Sequence, residues 1–129
     1  MRIELEVRDY ECDVQGIVNN AVYLQYLEHA RHKFLLSKNI DFVELSKQNK
    51  DLVIREAHYT YNKALKPNDQ FHIDTKVHFE GNAKLIFEQN IYRGEEHILA
   101  GRITGACVDF SSNKIFRISE IVGPNFLEN

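Results

Sequence analysis

The chain of 129 residues holds two cysteines, two prolines, one methionine and no tryptophan, and these shortages exclude several protein classes. Two cysteines, Cys12 and Cys107, cannot build a disulfide framework, which agrees with a reducing compartment. No apolar run approaches the roughly 18 residues that would span a bilayer. Neither charge dominates: 16 basic against 19 acidic side chains leave a formal net charge of −3. A nucleic-acid footprint and a basic membrane patch are therefore not expected. There is no repeat, no low-complexity segment and no linker. The N-terminus alternates as Met1-Arg2-Ile3-Glu4-Leu5-Glu6-Val7, with no signal-peptide apolar region and no Arg/Ser-rich transit character. The expected location is cytoplasmic.

What remains fits one domain, with 43% hydrophobic residues to fill one core. Residues 1–122 are expected to form it, and 123–129 to be a loose tail. Ile3–Arg8 reads as a strand. From Ala21 to Ser37 the period turns helical. Val22, Tyr23, Tyr26, Leu27, Ala30 and Phe34 fall on one broad face; Gln25, Glu28, Arg31, His32 and Lys33 fall largely on the other. Asn19 or Asn20 can cap the start, and Asn39 is a plausible stop. A short helix is expected from Phe42 to about Gln48, capped by Asp41, with Glu44 placed as in a capping box.

After Leu52 the chain is strand-like. Leu52–Leu65 ends at Pro67-Asn68-Asp69. Phe71, Ile73, Thr75, Val77 and Phe79 alternate with His72, Asp74, Lys76 and His78, which predicts one wet face. Further strands are expected over Leu85–Tyr92, His97–Phe110 and Ile115–Ile118, with turns at Gly81-Asn82, Gly94-Glu95 and Ser111-Ser112-Asn113. Short turns imply antiparallel hairpins. The class is α+β, one long helix against one sheet face. One helix leaves part of such a sheet uncovered, so a homodimer that extends the sheet or buries its face is expected.

The segment from Val7 to Tyr23 carries the chemistry. A strand ends near Arg8, a loop presents Asp13, Gly16 allows a sharp turn, and a helix starts just past Asn19-Asn20. The first N–H groups of a helix lack internal partners and its dipole is positive there. They can stabilise a carbonyl oxygen that gains charge, while a nearby carboxylate acts as base or nucleophile. The plainer reading of Asp13 and Asp9 is that of turn or cap residues, and spacing alone leaves both open. Cys12 is adjacent to Asp13, but neighbours on an extended chain point apart and no cation stands beside it; it reads as structural. His29 and His32 share a helix face without a metal-binding pattern. His72, Asp74 and His78 read as a solvated strand face, so no metal site is expected. Lys63, Lys66 and Arg93 could meet phosphates, yet scattered surface cations define no phosphate site.

Asp13-Val14-Gln15-Gly16-Ile17-Val18-Asn19-Asn20-Ala21-Val22-Tyr23, followed by Tyr26 and Arg31, resembles the signature of hotdog-fold acyl thioesterases of the 4-hydroxybenzoyl-CoA thioesterase family. Val7–Glu11, Val18–Tyr23 and His29–Leu35 are similar to plant acyl-lipid thioesterases of the methylketone-synthase type. The resemblance implies a hotdog fold, an antiparallel sheet wrapped around one long central helix. It implies hydrolysis of acyl thioesters of CoA or acyl carrier protein, without metal or organic cofactor. Asp13 would be the catalytic carboxylate and the Asn20 N–H the donor that polarises the thioester carbonyl. Gly16, Val18, Asn19, Tyr23 and Tyr26 would meet substrate, with Tyr23, Tyr26 and Leu27 as walls of an acyl groove. Two subunits would share each site in a homodimer or homotetramer. Glu28 is a fallback acid, His29 a candidate for orienting substrate, and Arg31 is expected to pair with a carboxylate such as Glu28 or one across the dimer. Acyl length, any 3-oxo preference and the carrier stay open. A hotdog enoyl-thioester hydratase and a non-catalytic acyl-thioester binding module are the alternatives. The His-and-acid motif of the hydratases does not occur here.

Overall fold

Residues 1–128 are described in the computed structural model of the chain. Strand β1 (Arg2–Glu6) leads through a loop into helix α1 (Asn20–Ser37) and then the short helix α2 (Phe42–Lys47). Strands β2 (Asp51–Tyr61), β3 (Gln70–Glu80), β4 (Lys84–Arg93), β5 (Glu96–Asp109) and the short β6 (Lys114–Ile115) follow. The sheet runs β1-β3-β4-β5-β2, antiparallel throughout, with β6 added to β5. None of the helices described is long and apolar enough to cross a membrane.

The expected alternation places the core. Cross-strand rows Ile3–Ile73–Ile91–Leu99 and Val77–Phe87–Ile103 line one face of the sheet. Helix α1 lies on those rows with Tyr23, Tyr26, Leu27, Ala30, Phe34 and Leu35, all buried at spacings of three and four. Each such side chain contributes roughly 1.5–3 kcal/mol by leaving water. The helix approaches β5 closely at Gly101, where an added Cβ would stand 3.2 Å from Leu27 Cδ1.

Local signals set the helix ends. Asn19 is the N-cap: its side-chain oxygen accepts from the Ala21 N–H at 2.9 Å. Asn39 takes a left-handed φ of 63° just past the helix, and the Ile40 N–H returns to the Leu35 carbonyl. Asp41 caps α2 through the Val43 N–H. Glu44 completes no capping box and instead pairs with Lys47 at 2.9 Å.

Three expectations are corrected. Arg31 is not on a wet helix face; it is 8% exposed, because position 31 lies three and four residues from Phe34 and Leu27. The strand expected over 115–118 pairs only through Ile115; beyond Phe116 the chain leaves β5, and the Ile118 N–H turns to the Asn82 carbonyl at 2.7 Å. Phe126 is not part of a loose tail, since it is buried against Phe34 and Phe79. Asn129 lies outside the described residues.

Candidate active site

The loop between β1 and α1 is held by its own backbone. Cys12 and Val18 form an isolated antiparallel bridge. Above it the Asp13 N–H donates to the Ile17 carbonyl at 2.9 Å, and the Gly16 N–H to the Asp13 carbonyl at 3.0 Å. Gly16 has a φ of +75°, and a Cβ added there would meet nothing within 4 Å, so the requirement is for the dihedral and not for space. The Asp13 carboxylate accepts from the Gln15 N–H at 2.9 Å. Val14 and Tyr10 beside it are exposed.

The Val18 N–H ties this loop to the body by donating to the Leu65 carbonyl at 2.9 Å, and the Asn19 N–H closes the loop on itself by donating to the Glu11 carbonyl at 3.1 Å. Beneath the loop, the Tyr26 hydroxyl donates to the Glu11 carboxylate at 2.8 Å. Burial, and then that bond, push the Tyr26 phenol well above the ordinary tyrosine range, so it stays neutral. The Tyr23 hydroxyl accepts from the Leu65 N–H at 2.9 Å, and burial raises its pKa too.

The start of α1 faces a cleft of about 240 Å³, lined by Ile17, Val18, Asn20, Tyr23, Tyr61, Asn62, Lys63 and Ala64. The Ala21 N–H is taken by the Asn19 side chain and the Val22 N–H by the Asn19 carbonyl. Among the described residues, none accepts from the Asn20 N–H. The first turn of α1 carries no acidic residue, so its dipole is not neutralised from within the helix. Such an N–H can receive developing negative charge on a carbonyl oxygen.

Of the residues expected to meet substrate, Val18, Asn20 and Tyr23 line this cleft. Asp13 is not among the lining residues; its N–H is hydrogen-bonded to the carbonyl of Ile17, which is. Asn19 spends its side chain as a cap. Tyr26 and Leu27 are enclosed in the core and are not among the cleft residues. Tyr61, at the end of β2, packs edge-on against Tyr23 with centroids 5.5 Å apart. Tyr61 and Asn62 carry no local signal; only the pairing of β2 with β5 brings them to the start of α1.

The remaining candidates separate clearly. The Cys12 thiol is held above its ordinary pKa by burial and then by the Glu11 and Asp13 carboxylates, which opposes a nucleophilic role. Lys63 pairs with Glu96 at 3.0 Å, and Arg93 with Asp69 at 2.7 Å and Glu96 at 3.2 Å. Glu28 lies 3.7 Å from His32 and forms no ion pair with Arg31. His29 is exposed.

An antiparallel sheet curled around one long helix, with the acidic loop at the helix start, defines a hotdog-fold domain. Residues 7–126 match the thioesterase-like superfamily, and the chain belongs to that superfamily. It is similar to two proteins of Arabidopsis thaliana, the chloroplastic acyl-acyl carrier protein thioesterases ATL2 and ATL3. Identity to ATL2 is 37% over 109 residues, covering 83% of this chain and 58% of that protein. Identity to ATL3 is 35% over 102 residues, covering 78% of this chain and 54% of that protein. The chain thus spans little more than half the length of these plant relatives. The crystal structure of YbaW, a probable thioesterase from Escherichia coli, superposes with a TM-score of 0.78 at 27% identity, covering 92% of this chain and 90% of that one.

Proposed function

We propose that the chain hydrolyses acyl thioesters of CoA or acyl carrier protein to a free acid and a thiol. The observation that supports this most is Asn20, which lines a cleft at the positive end of α1 and whose N–H has no acceptor among the described residues. The thioester oxygen would take that bond, which strengthens as the carbonyl becomes tetrahedral. Asp13 acts as nucleophile or general base. Water adds its hydroxyl to the acyl carbon, the carbon–sulfur bond breaks, and the thiolate takes the proton.

The working unit in this reading is a homodimer, alone or paired as a tetramer. Strand β2 is a sheet edge 11 residues long that pairs only with β5 among the described residues, with Ile54 and Tyr61 exposed. A free edge of that length invites a second copy. The partner would complete the cleft, so that Asp13, Asn20, Tyr23 and Gly16 meet substrate held against the other subunit.

The test is thiol release from acyl-CoA and acyl carrier protein thioesters across chain lengths, with Asp13→Asn as control. This variant keeps the acceptor oxygen for the Gln15 N–H. Loss of turnover by roughly a hundredfold or more with unchanged melting is the expected result. Hydrolysis at the wild-type rate removes Asp13 from the mechanism, and tight binding without turnover by the wild-type protein identifies a binding module.

A further inference from the structure

The Asn20 cleft contains a second amide whose direction is fixed from outside the cleft. Asn62 follows β2 and lines the cleft with Asn20, Tyr61 and Lys63. Its backbone N–H is held to β5 by donating to the Ile98 carbonyl at 2.9 Å. Its side chain is held as well: Nδ2 lies 3.3 Å from His97 Nδ1. The other ring nitrogen, Nε2, lies 2.8 Å from the side-chain oxygen of Asn90. An amide oxygen only accepts, so Nε2 carries the proton and Nδ1 is left to accept from Asn62. The two partners thus assign the tautomer.

The imidazole has little freedom to turn. Tyr92 pairs with His97 in the β4–β5 register and stacks on it with centroids 5.0 Å apart. His72 pairs with Tyr92 across β3 and β4 and stacks on it in turn at 5.3 Å. Three rings in one cross-strand row therefore hold His97. Asn62 itself is exposed, and ordering a free surface amide around a ligand costs entropy. An amide already held in place avoids that cost, and such preorganisation favours binding. With Nδ2 committed to His97, the Asn62 Oδ1 has no donor among the described residues. Lys63, the cation of the lining, is paired with Glu96 at 3.0 Å, and Arg93 meets the same carboxylate at 3.2 Å. The fixed acceptor in the cleft is therefore uncharged, and it suits an uncharged N–H of the ligand.

We propose that Asn62 is a substrate-binding residue whose Oδ1 accepts the amide N–H that lies two carbons from the sulfur in the thiol arm of the substrate. His97 is its positioning residue and acts by holding the side chain in that direction. The proposal rests on the acyl-thioester reading of the cleft. Thioesters of CoA and of acyl carrier protein carry the same N–H, so the contact orients the arm without distinguishing the carriers. The thioester oxygen on the Asn20 N–H and the arm amide on Asn62 tie the scissile carbonyl at two points of one small cleft. Rotation about the carbon–sulfur bonds is then restricted before reaction. A thiol arm without the amide is tied at one point only.

The test compares two ligands that differ at one position. The first is the heptyl ketone thioether of N-acetylcysteamine, in which a methylene separates sulfur from carbonyl so that nothing can be hydrolysed. The second is its isostere with an ester oxygen in place of the amide N–H. Binding of each to the whole protein is measured by calorimetry. The wild type should bind the amide about fivefold more tightly, the worth of one neutral hydrogen bond. Asn62→Ala should bind the two ligands equally. His97→Phe keeps a ring on Tyr92 but offers Asn62 no acceptor, and its preference should fall to about twofold or less. A purely structural role of His97 would weaken both ligands together and leave their ratio unchanged. No saturable binding, equal binding of the two ligands by the wild type, or a preference that survives Asn62→Ala each overturn the proposal, and an unchanged ratio in His97→Phe removes His97 from it. Thiol release from octanoyl-N-acetylcysteamine, assayed alongside, reads the hydrolysis separately. Discrimination without turnover keeps Asn62 as a binding residue and sinks the hydrolase reading, and turnover without discrimination does the reverse.

Discussion

The Tyr26 hydroxyl donates to the Glu11 carboxylate at 2.8 Å, and this bond joins the floor of α1 to the loop that presents Asp13. Glu11 also accepts from the Arg8 N–H at 2.8 Å and closes the loop by receiving the Asn19 N–H on its backbone carbonyl. One acidic residue thereby links the end of β1, the helix cap and the helix floor. The geometry of the Asp13 loop depends on a residue outside the cleft lining.

Removing the hydroxyl tests that link. Tyr26→Phe should cost about 1.5 kcal/mol, the usual worth of a hydrogen bond to a charged group, in urea unfolding. It should also change the alkaline limb of stability. The folded-state pKa of Tyr26 lies above the unfolded value of 10.0, and Tyr23 is raised as well. Their contribution is complete below pH 10 and falls as pH rises, because the unfolded chain loses the phenolic protons first. The fall with pH should be shallower in Tyr26→Phe than in the wild type.

Asn20→Pro isolates the proposed oxyanion donor. Asn20 is the first residue of α1, where proline is well tolerated, and Asn19 before it is already extended at φ −64°, ψ 142°, as a residue preceding proline must be. The variant should melt within a few degrees of the wild type yet lose thiol release by roughly 10²–10³-fold, the scale of one oxyanion donor. Asn20→Ala keeps the N–H and should keep most of the activity. Equal turnover by Asn20→Pro would remove this N–H from the reaction.

The candidate site was legible in the sequence only where it is local. Asp13, Gly16, Asn19 and Asn20 lie within eight consecutive positions, so turn and cap chemistry alone places them together. Tyr61 and Asn62 reach the same cleft through the β2–β5 register, which no short pattern encodes. Tyr26 illustrates a different limit: helical spacing correctly puts it on the apolar face, and for that reason it is enclosed in the core and absent from the cleft lining. Arg31 shows the converse. Its charge suggests a wet face, whereas its spacing from Leu27 and Phe34 puts it in the buried row, and the polar partner that makes this tolerable, Gln89, is 58 residues away.

Gln89→Leu should expose how strained that row becomes. Gln89 is fully buried and serves Arg31, Leu27 and Thr75 together. Leucine fills similar space but removes one acceptor from a buried guanidinium, which costs about 1–3 kcal/mol. Denaturant titration should show a lower midpoint. A double variant, Arg31→Met with Gln89→Leu, should recover part of the loss, because the orphaned charge is gone.

The approach of α1 to the sheet can be probed with a single methyl group. A Cβ at Gly101 would lie 3.2 Å from Leu27 Cδ1 and 3.3 Å from both Ile103 Cδ1 and Tyr59 Cδ1, with Leu27 and Ile103 in the tightly packed core. At Gly105 the same methyl would find its nearest atoms at 3.5, 3.6 and 3.9 Å, ordinary contact. Both glycines lie in β5 without the left-handed φ that would itself penalise alanine. Gly101→Ala should therefore destabilise by about 1–3 kcal/mol through overpacking, and Gly105→Ala should be near neutral or slightly stabilising, since alanine restricts the unfolded chain. Thermal unfolding of the pair reads the difference directly. Equal melting temperatures would mean that α1 can move off β5 at little cost, and the Asn20 N–H, carried on the same helix, would then not be rigidly placed.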